Sequence, residues 1–491
     1  MKNHETQELN ILTFCSGKNA LNVGLALSST IFMCGFPALI ILPFYIYLFG
    51  AGMIWLVLGA FLSMLLIWYY ASYRLMRYSR KAEGLYTIPG YLRFRFSGGK
   101  GYPGLVAALE ITMLTLICLS LILNEAGLIV ERIFRIPTAL SNALILVIIL
   151  IPLAKRGFAY ITNSAIVKAF ILLLCLLICT LHIYTSMNIK EIVENTMRSG
   201  IKGSVSVYIN ILFLDNKVMG PTDYLSNISL GFLIIGCPSV LMGFLFGKDG
   251  QKLNAGKRLS LLFFVIFTGV AAFFGGSLRG YMYPIGVTKS LSEFIMNLFQ
   301  AFIKNGSWGI VAGISFAIAV VVACMILVET CIYLLIATVA KDILQDGRLV
   351  RLPKEHDAKA LYITEVCVAI LAFFLTFMVR ELRMEGVLII LAILSCSMGP
   401  VVMISLLWKR MNSVGCLVGL MSGFFSVPFY KFVPLIEVAG EKVSICTAMD
   451  VNAILLSMAT GSVLILLTSL ISPKPNEKQI QDFMDVKNRL V

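Results

Sequence analysis

The chain has 491 residues, 59% hydrophobic and 13% charged, with a net charge of +14 and a mean hydropathy of +0.90. Soluble domains carry about a quarter charged residues, so a water-soluble enzyme is excluded, as is disorder. Long unbroken apolar runs also disfavour a membrane β-barrel, whose strands alternate apolar and polar residues. The excess of Lys and Arg reads as the basic loops of a membrane protein rather than a nucleic-acid interface. Twelve Cys lie mostly inside apolar runs, with no CxxC and only three His. They read as small core residues, not metal ligands or a disulfide framework.

A bilayer-spanning helix needs about 20 apolar residues. Twelve candidate spans follow in chain order: 20–48, 51–73, 103–129, 138–154, 161–186, 227–247, 259–281, 309–340, 360–379, 386–407, 413–432 and 451–472. With the N-terminus inside, the inner segments hold 26 of the 40 basic residues. The densest inner group is Arg74, Arg77, Arg80, Lys81, Arg93, Arg95 and Lys100. The positive-inside rule then puts both termini in the cytoplasm. Trp55, Trp68, Trp308 and Trp408 fall near span ends, where interfacial anchors are expected. The chain divides into a cytoplasmic segment 1–19, a five-helix repeat 20–186 and an outer loop 187–226. A second five-helix repeat 227–407, two peripheral helices within 413–472 and a cytoplasmic tail 473–491 follow.

The first helix of each half carries a Gly-x-Pro: Cys34-Gly35-Phe36-Pro37 and Gly236-Cys237-Pro238. Proline removes a donor and clashes with the preceding turn, and glycine lets the chain unwind. Interrupted helices at matching places in two halves point to a transporter binding site. Around these breaks the candidate solute contacts are Ser28, Ser29, Thr30, Cys34, Gly35, Pro37, Gly236, Cys237, Pro238, Ser239 and Thr330. Free N–H groups at half-helix starts favour a carboxylate.

Four segments now carry a resemblance: YRLMRYSRKAEGLYTIPGYLRFR (73–95), LIIGCPSVLMGFLFG (233–247), ACMILVETCIYLLIATVAKDILQ (323–345) and GPVVMISLLWKRMNSVGCLVGLMS (399–422). Together they resemble the sodium:solute symporter family, in its proline and pantothenate branch. The resemblance implies an all-α membrane protein of the LeuT type, with inverted five-helix repeats and two C-terminal helices. Typical members have thirteen spans; residues 9–19 resemble the loop after the first, so twelve are expected. It further implies alternating-access transport of a small organic solute across the inner membrane, with no enzymatic activity, and sodium held between core helices one, five and eight.

At that sodium site the sequence departs from the family. The Ser/Thr pair of core helix eight is replaced by Ile326 and Leu327, and the Asp of core helix five by Ala165. One helical turn beyond each stand two ionisable groups, Lys168 and Glu329. Such groups inside a membrane need a cavity or a partner. The expectation is that they face each other, the lysine replacing the cation or the pair relaying a proton. The coupling ion is then a proton or none, and no cofactor is expected. A one-turn shift in register would instead bring Glu329 and Thr330 to the sodium position and restore an ordinary sodium symporter. A non-transporting solute sensor is the reading from another class. Two further acids, Glu110 and Glu365, are expected to reach the interface or to pair with loop arginines. No phosphate-cradling Gly-Lys-Ser/Thr loop, HExxH or Ser/His/Asp arrangement is present. The partners implied are a small solute and the lipid bilayer, with no nucleic acid; oligomeric state is not legible.

Overall fold

The apolar runs fold as helices of 19 to 40 residues, the only common way to satisfy a backbone in lipid besides a closed barrel. The computed structural model describes residues 11–16, 22–82, 85–96, 101–201, 203–246, 250–346, 357–379, 385–438 and 440–488. Residues 1–10 and 17–19 of the N-terminal segment, and Lys100 of the basic group, lie outside them. Among the described residues, eleven helices are long and apolar enough to span a membrane, and one bent pair makes twelve. In chain order they are α1 (Ala26–Phe49), α2 (Ala51–Lys81), α3 (Tyr102–Phe134), α4 (Thr138–Arg156) and α5 (Phe158–Ser186). Then come the bent α6 (Pro221–Ile234 and Pro238–Phe246), α7 (Leu253–Tyr281), α8 (Gly306–Gln345), α9 (Asp357–Met378) and α10 (Gly386–Leu407). The last two are α11 (Ser413–Phe432) and α12 (Ala453–Ile471).

Large apolar side chains such as Ile148, Phe170, Leu181, Phe374 and Leu467 are exposed on these helices, as expected where lipid is the solvent. All twelve cysteines are free, and ten are buried. The segment between α5 and α6 is a packed cap. It holds a helix (Ile189–Arg198) and a two-stranded hairpin, Phe213–Leu214 with Lys217–Val218, in which Phe213 faces Val218. α6 begins at Pro221, six residues before the sequence boundary. Tyr208 of the cap donates to the Ile46 carbonyl at 2.8 Å. Burial pushes its phenol up while the Arg279 guanidinium opposes, so the hydroxyl keeps its proton and remains a donor.

Two expectations change. Trp68 is no interfacial anchor: it is 1% exposed, packs edge-on to Phe244 at 4.8 Å and donates to Ser260 Oγ at 3.2 Å. α2 continues to Lys81, which moves Trp68 well inside the helix. The first Gly-x-Pro does not interrupt its helix. Gly35 N still donates to Ile31 O at 2.7 Å and Leu39 N to Gly35 O at 2.9 Å, and Phe36 is helical (φ −62°, ψ −43°). A π-turn over Pro37–Ile41, closed by Leu42 N to Pro37 O, absorbs the missing proline donor.

Candidate functional site

The second Gly-x-Pro opens its helix. Cys237 is extended (φ −71°, ψ 111°), as the residue before a proline prefers, and the two halves of α6 bend by 49°. A Cβ on Gly236 would lie 2.3 Å from Ser395 O and 2.6 Å from Gly399 N, so only glycine lets α10 approach this closely. The Ser395 hydroxyl donates to Leu233 O, satisfying a carbonyl that the break frees.

Beside the continuous α1, two helices, α5 and α8, converge. A Cβ on Gly35 would meet Ile326 and Ala323 of α8 at 3.6 and 3.8 Å, and Gly24 abuts Thr162 O of α5. Between α5 and α8, Lys168 Nζ forms an ion pair with Glu329 Oε2. The same nitrogen donates to Ser164 Oγ at 3.0 Å and lies 5.2 Å from the Tyr160 ring centroid. Lys168 is 8% exposed and Glu329 2%. Ile326 and Leu327 are buried next to them and offer no oxygen from their side chains, whereas hard cations need oxygen ligands.

A cavity of about 250 Å³ lies between α1 and α6, lined by Phe32, Met33, Pro37, Leu233, Cys237, Phe264 and Thr268, among others. Its neighbour is a vestibule of about 770 Å³ carrying Glu125, Arg132, Asp215, Arg279, Lys289 and Glu293. Ile41, Tyr45 and Leu388 line both spaces, so the inner cavity abuts the vestibule on the face of the 187–226 cap.

On the opposite, basic face the described residues are tied together by hydrogen bonds and ion pairs. Thr87 donates to Asp342 Oδ1 at 2.8 Å and caps its own helix, Ile88–Arg95, by accepting from Gly90 N. Arg93 donates to Asp342 O at 2.9 Å and pairs with Asp346 at 3.7 Å. Tyr91 shares a 2.9 Å hydrogen bond with Ser405 of α10, and burial pushes its phenol well up. A tail helix, Glu477–Asn488, adds a clasp. Lys81 at the end of α2 pairs with Asp482 at 2.6 Å and Asp485 at 2.8 Å, and Phe483 lies 5.1 Å under the Arg95 guanidinium.

The sequence candidates divide accordingly. Pro37 and Cys237 line the inner cavity. Ser28, Ser29, Thr30, Cys34, Gly35, Gly236, Pro238, Ser239 and Thr330 do not. Ser29 donates to Ala26 O at 2.9 Å, Thr30 bonds Ala26 O and Ser260 Oγ, and Thr330 donates to Ile326 O at 2.6 Å. These hydroxyls return to their own helix, the usual refuge in an apolar interior. Cys34 is fully buried, and Ser239 is within 3.2 Å of the Cys237 sulfur. Phe264, Thr268, Ser260 and Ser395 were missed. Only the helical face they share with the breaks marks them, and that face depends on how α7 and α10 dock.

Twelve spans in two sets of five plus two, one opened helix and a cavity beside it define a multi-pass transporter fold. The profile of the sodium:solute symporter family matches residues 14–423. The sodium/proline symporter of Haemophilus influenzae is 22% identical over 453 residues, covering 90% of this chain and 85% of that one. The osmoregulated proline transporter of Bacillus subtilis is 20% identical over 378 residues, covering 77% and 74%. Among solved structures, a substrate-bound, outward-open sodium-coupled sialic acid symporter aligns with a TM-score of 0.73 at 13% identity, covering 95% of this chain and 93% of that one. MhsT in complex with L-phenylalanine aligns with a TM-score of 0.55 at 13% identity, over 92% and 98%. The structural likeness is one of fold, the LeuT type of inverted five-helix repeats. The chain belongs to the sodium:solute symporter family, a family of transporters and not enzymes.

Proposed function

We propose that this transporter moves a small amino acid or carboxylate by alternating access without a sodium ion between α1, α5 and α8. The observation that carries the reading is the Lys168–Glu329 pair. Its ammonium stands where the family holds a cation, and the positions expected to supply ligands are Ala165, Ile326 and Leu327. The coupling ion is a proton. The apolar lining of the cavity at Pro37 and Cys237 suits an aliphatic body. The positive end of the helix dipole at the start of the second half of α6 suits a carboxylate. Proline transporters among the relatives agree with that class. The protein sits in the plasma membrane with its basic face and both termini in the cytoplasm, so the vestibule faces outward.

The test is uptake into proteoliposomes across a panel of amino acids and carboxylates, under separately imposed sodium and proton gradients. Uptake driven by protons and indifferent to sodium is expected. A strict sodium requirement would overturn the reading and restore the ordinary symporter. No uptake of any panel member, together with saturable binding, would favour the sensor.

A further inference from the structure

The proton-driven reading leaves open which group carries the proton, and the inference below rests on that reading. Lys168 and Glu329 already neutralise each other, and a satisfied buried pair has no need of a proton. Another buried carboxyl has no such partner. Glu110, on α3, is 7% exposed. Its Oε2 accepts a hydrogen bond from Ser397 of α10 at 2.5 Å, and its Oε1 has no partner. Neither the interface nor a loop arginine reaches it, contrary to the sequence expectation. Among the described residues no Lys, Arg or His nitrogen forms an ion pair with it.

Among the described residues, no charged group on the helices packed around α3 bonds Glu110, although the Arg95 terminal nitrogens and Glu365 Oε1 have no partner of their own. On the helix Ile88–Arg95, Arg93 is bonded to Asp342 O. Arg95 donates through Nε to Ser405 O, eight residues or about 12 Å along α10 from Ser397. On α8, Glu329 is paired with Lys168, Asp342 accepts from Thr87, and Lys341 bonds Gln345 and Asp346. Lys155 and Arg156 stand at the far end of α4. Glu293 of the helix Leu291–Ile303 accepts from Thr288. Glu365 of α9 is buried and adds no positive charge. Cys416 of α11, buried, is the thiol near enough to feel the Glu110 charge. An ionised carboxylate enclosed without a cation is costly, and taking up a proton removes that cost.

We propose that Glu110 is a proton-binding site, distinct from the Lys168–Glu329 pair, whose occupancy is linked through α10 to the opened helix α6. The linkage is visible in three successive residues. Ser397 donates to Glu110, Ser395 donates to Leu233 O at the break, and Cys396 between them is fully buried. Any shift of α10 that alters the α6 contact also alters the environment of the carboxyl. The carboxylate takes up one proton to give the neutral acid, with no other bond made or broken. When α10 moves and water reaches the acid from the basic face, the same proton leaves.

The proton itself is the first probe. Infrared spectra of the full chain in lipid vesicles are recorded through a pH titration. The wild type is expected to show a protonated-carboxyl stretch that titrates and is lost in Glu110→Gln. Ser397→Ala keeps the carboxyl and is expected to move the frequency of that stretch, because its hydrogen bond is gone. A stretch that survives in Glu110→Gln, or stays in place in Ser397→Ala, would overturn the proposal. In transport, Glu110→Gln is expected to lower proton-driven accumulation of L-proline at least about tenfold while L-proline counterflow stays within about twofold. Undiminished accumulation in that variant would overturn the proposal while leaving proton-driven transport intact. A wild type that ignores the proton gradient would instead sink the functional reading, and with it the transport role of Glu110; the infrared titration decides the binding site separately.

Discussion

The same three-residue signature, Gly-x-Pro, has two outcomes in this molecule. At Gly35–Pro37 the helix continues through a π-turn, and the space beside it on α5 and α8 holds an ion pair. At Gly236–Pro238 the helix opens and bends by 49°, and a serine of a neighbouring helix takes up a freed carbonyl. Proline alone therefore does not decide whether a membrane helix breaks. The surroundings do: Phe36 remains helical, whereas Cys237 is extended next to an α10 backbone that leaves no room for a side chain at 236. One Gly-x-Pro stands beside polar chemistry carried in side chains, and the other carries it in freed backbone.

Substitutions at the two places should separate these modes. Removing one member of the side-chain pair has the largest effect. Lys168→Ala leaves Glu329 buried and unpaired, which should cost about 3–5 kcal/mol, read as a lowered thermal unfolding midpoint in detergent micelles. Lys168→Met combined with Glu329→Leu should recover most of that stability, since a well-packed apolar replacement of a buried pair is near neutral. Recovery of stability without transport would mark the pair as functional rather than structural.

The backbone mode should be broken next by Gly236→Ala. Its methyl must displace Ser395 O and Gly399 N, at a cost of about 1–3 kcal/mol and with loss of uptake. Ser395→Ala leaves the Leu233 carbonyl unsatisfied in the protein interior, costing about 1–3 kcal/mol, and should weaken solute binding more than it weakens folding. Gly35→Ala completes the series as the smallest effect. Its nearest neighbours lie at 3.0 Å and beyond, and alanine favours helix, so stability should stay within about 1 kcal/mol of wild type. A Gly35→Ala variant as damaged as Gly236→Ala would erase the contrast between the two sites.

Much of this architecture was legible in the sequence. Hydropathy alone located each of the twelve spans, with ends off by up to eight residues, because lipid imposes length and apolarity on each helix separately. Lys168 and Glu329 stood out because charges are rare in apolar runs, and their positions one turn beyond Ala165 and Ile326 put them on facing helices. What was not legible depends on docking. Pro37 looks as disruptive as Pro238 in sequence, yet only the second has a helix backbone pressed against its glycine. Trp68 looked interfacial until α2 proved to run on to Lys81. Glu110 looked able to reach solvent, and only the packing of α10 shows it enclosed against Ser397. Ser28, Ser29 and Thr30 looked available to a solute. The hydroxyls of Ser29 and Thr30 instead bond backbone one turn earlier.

The claim that the Lys168 ammonium takes the place of a cation is tested most directly by equilibrium binding of radioactive ²²Na⁺ to the purified full-length protein, with no solute added. No saturable sodium binding is predicted for the wild type. Saturable, stoichiometric sodium binding by the wild type would contradict it.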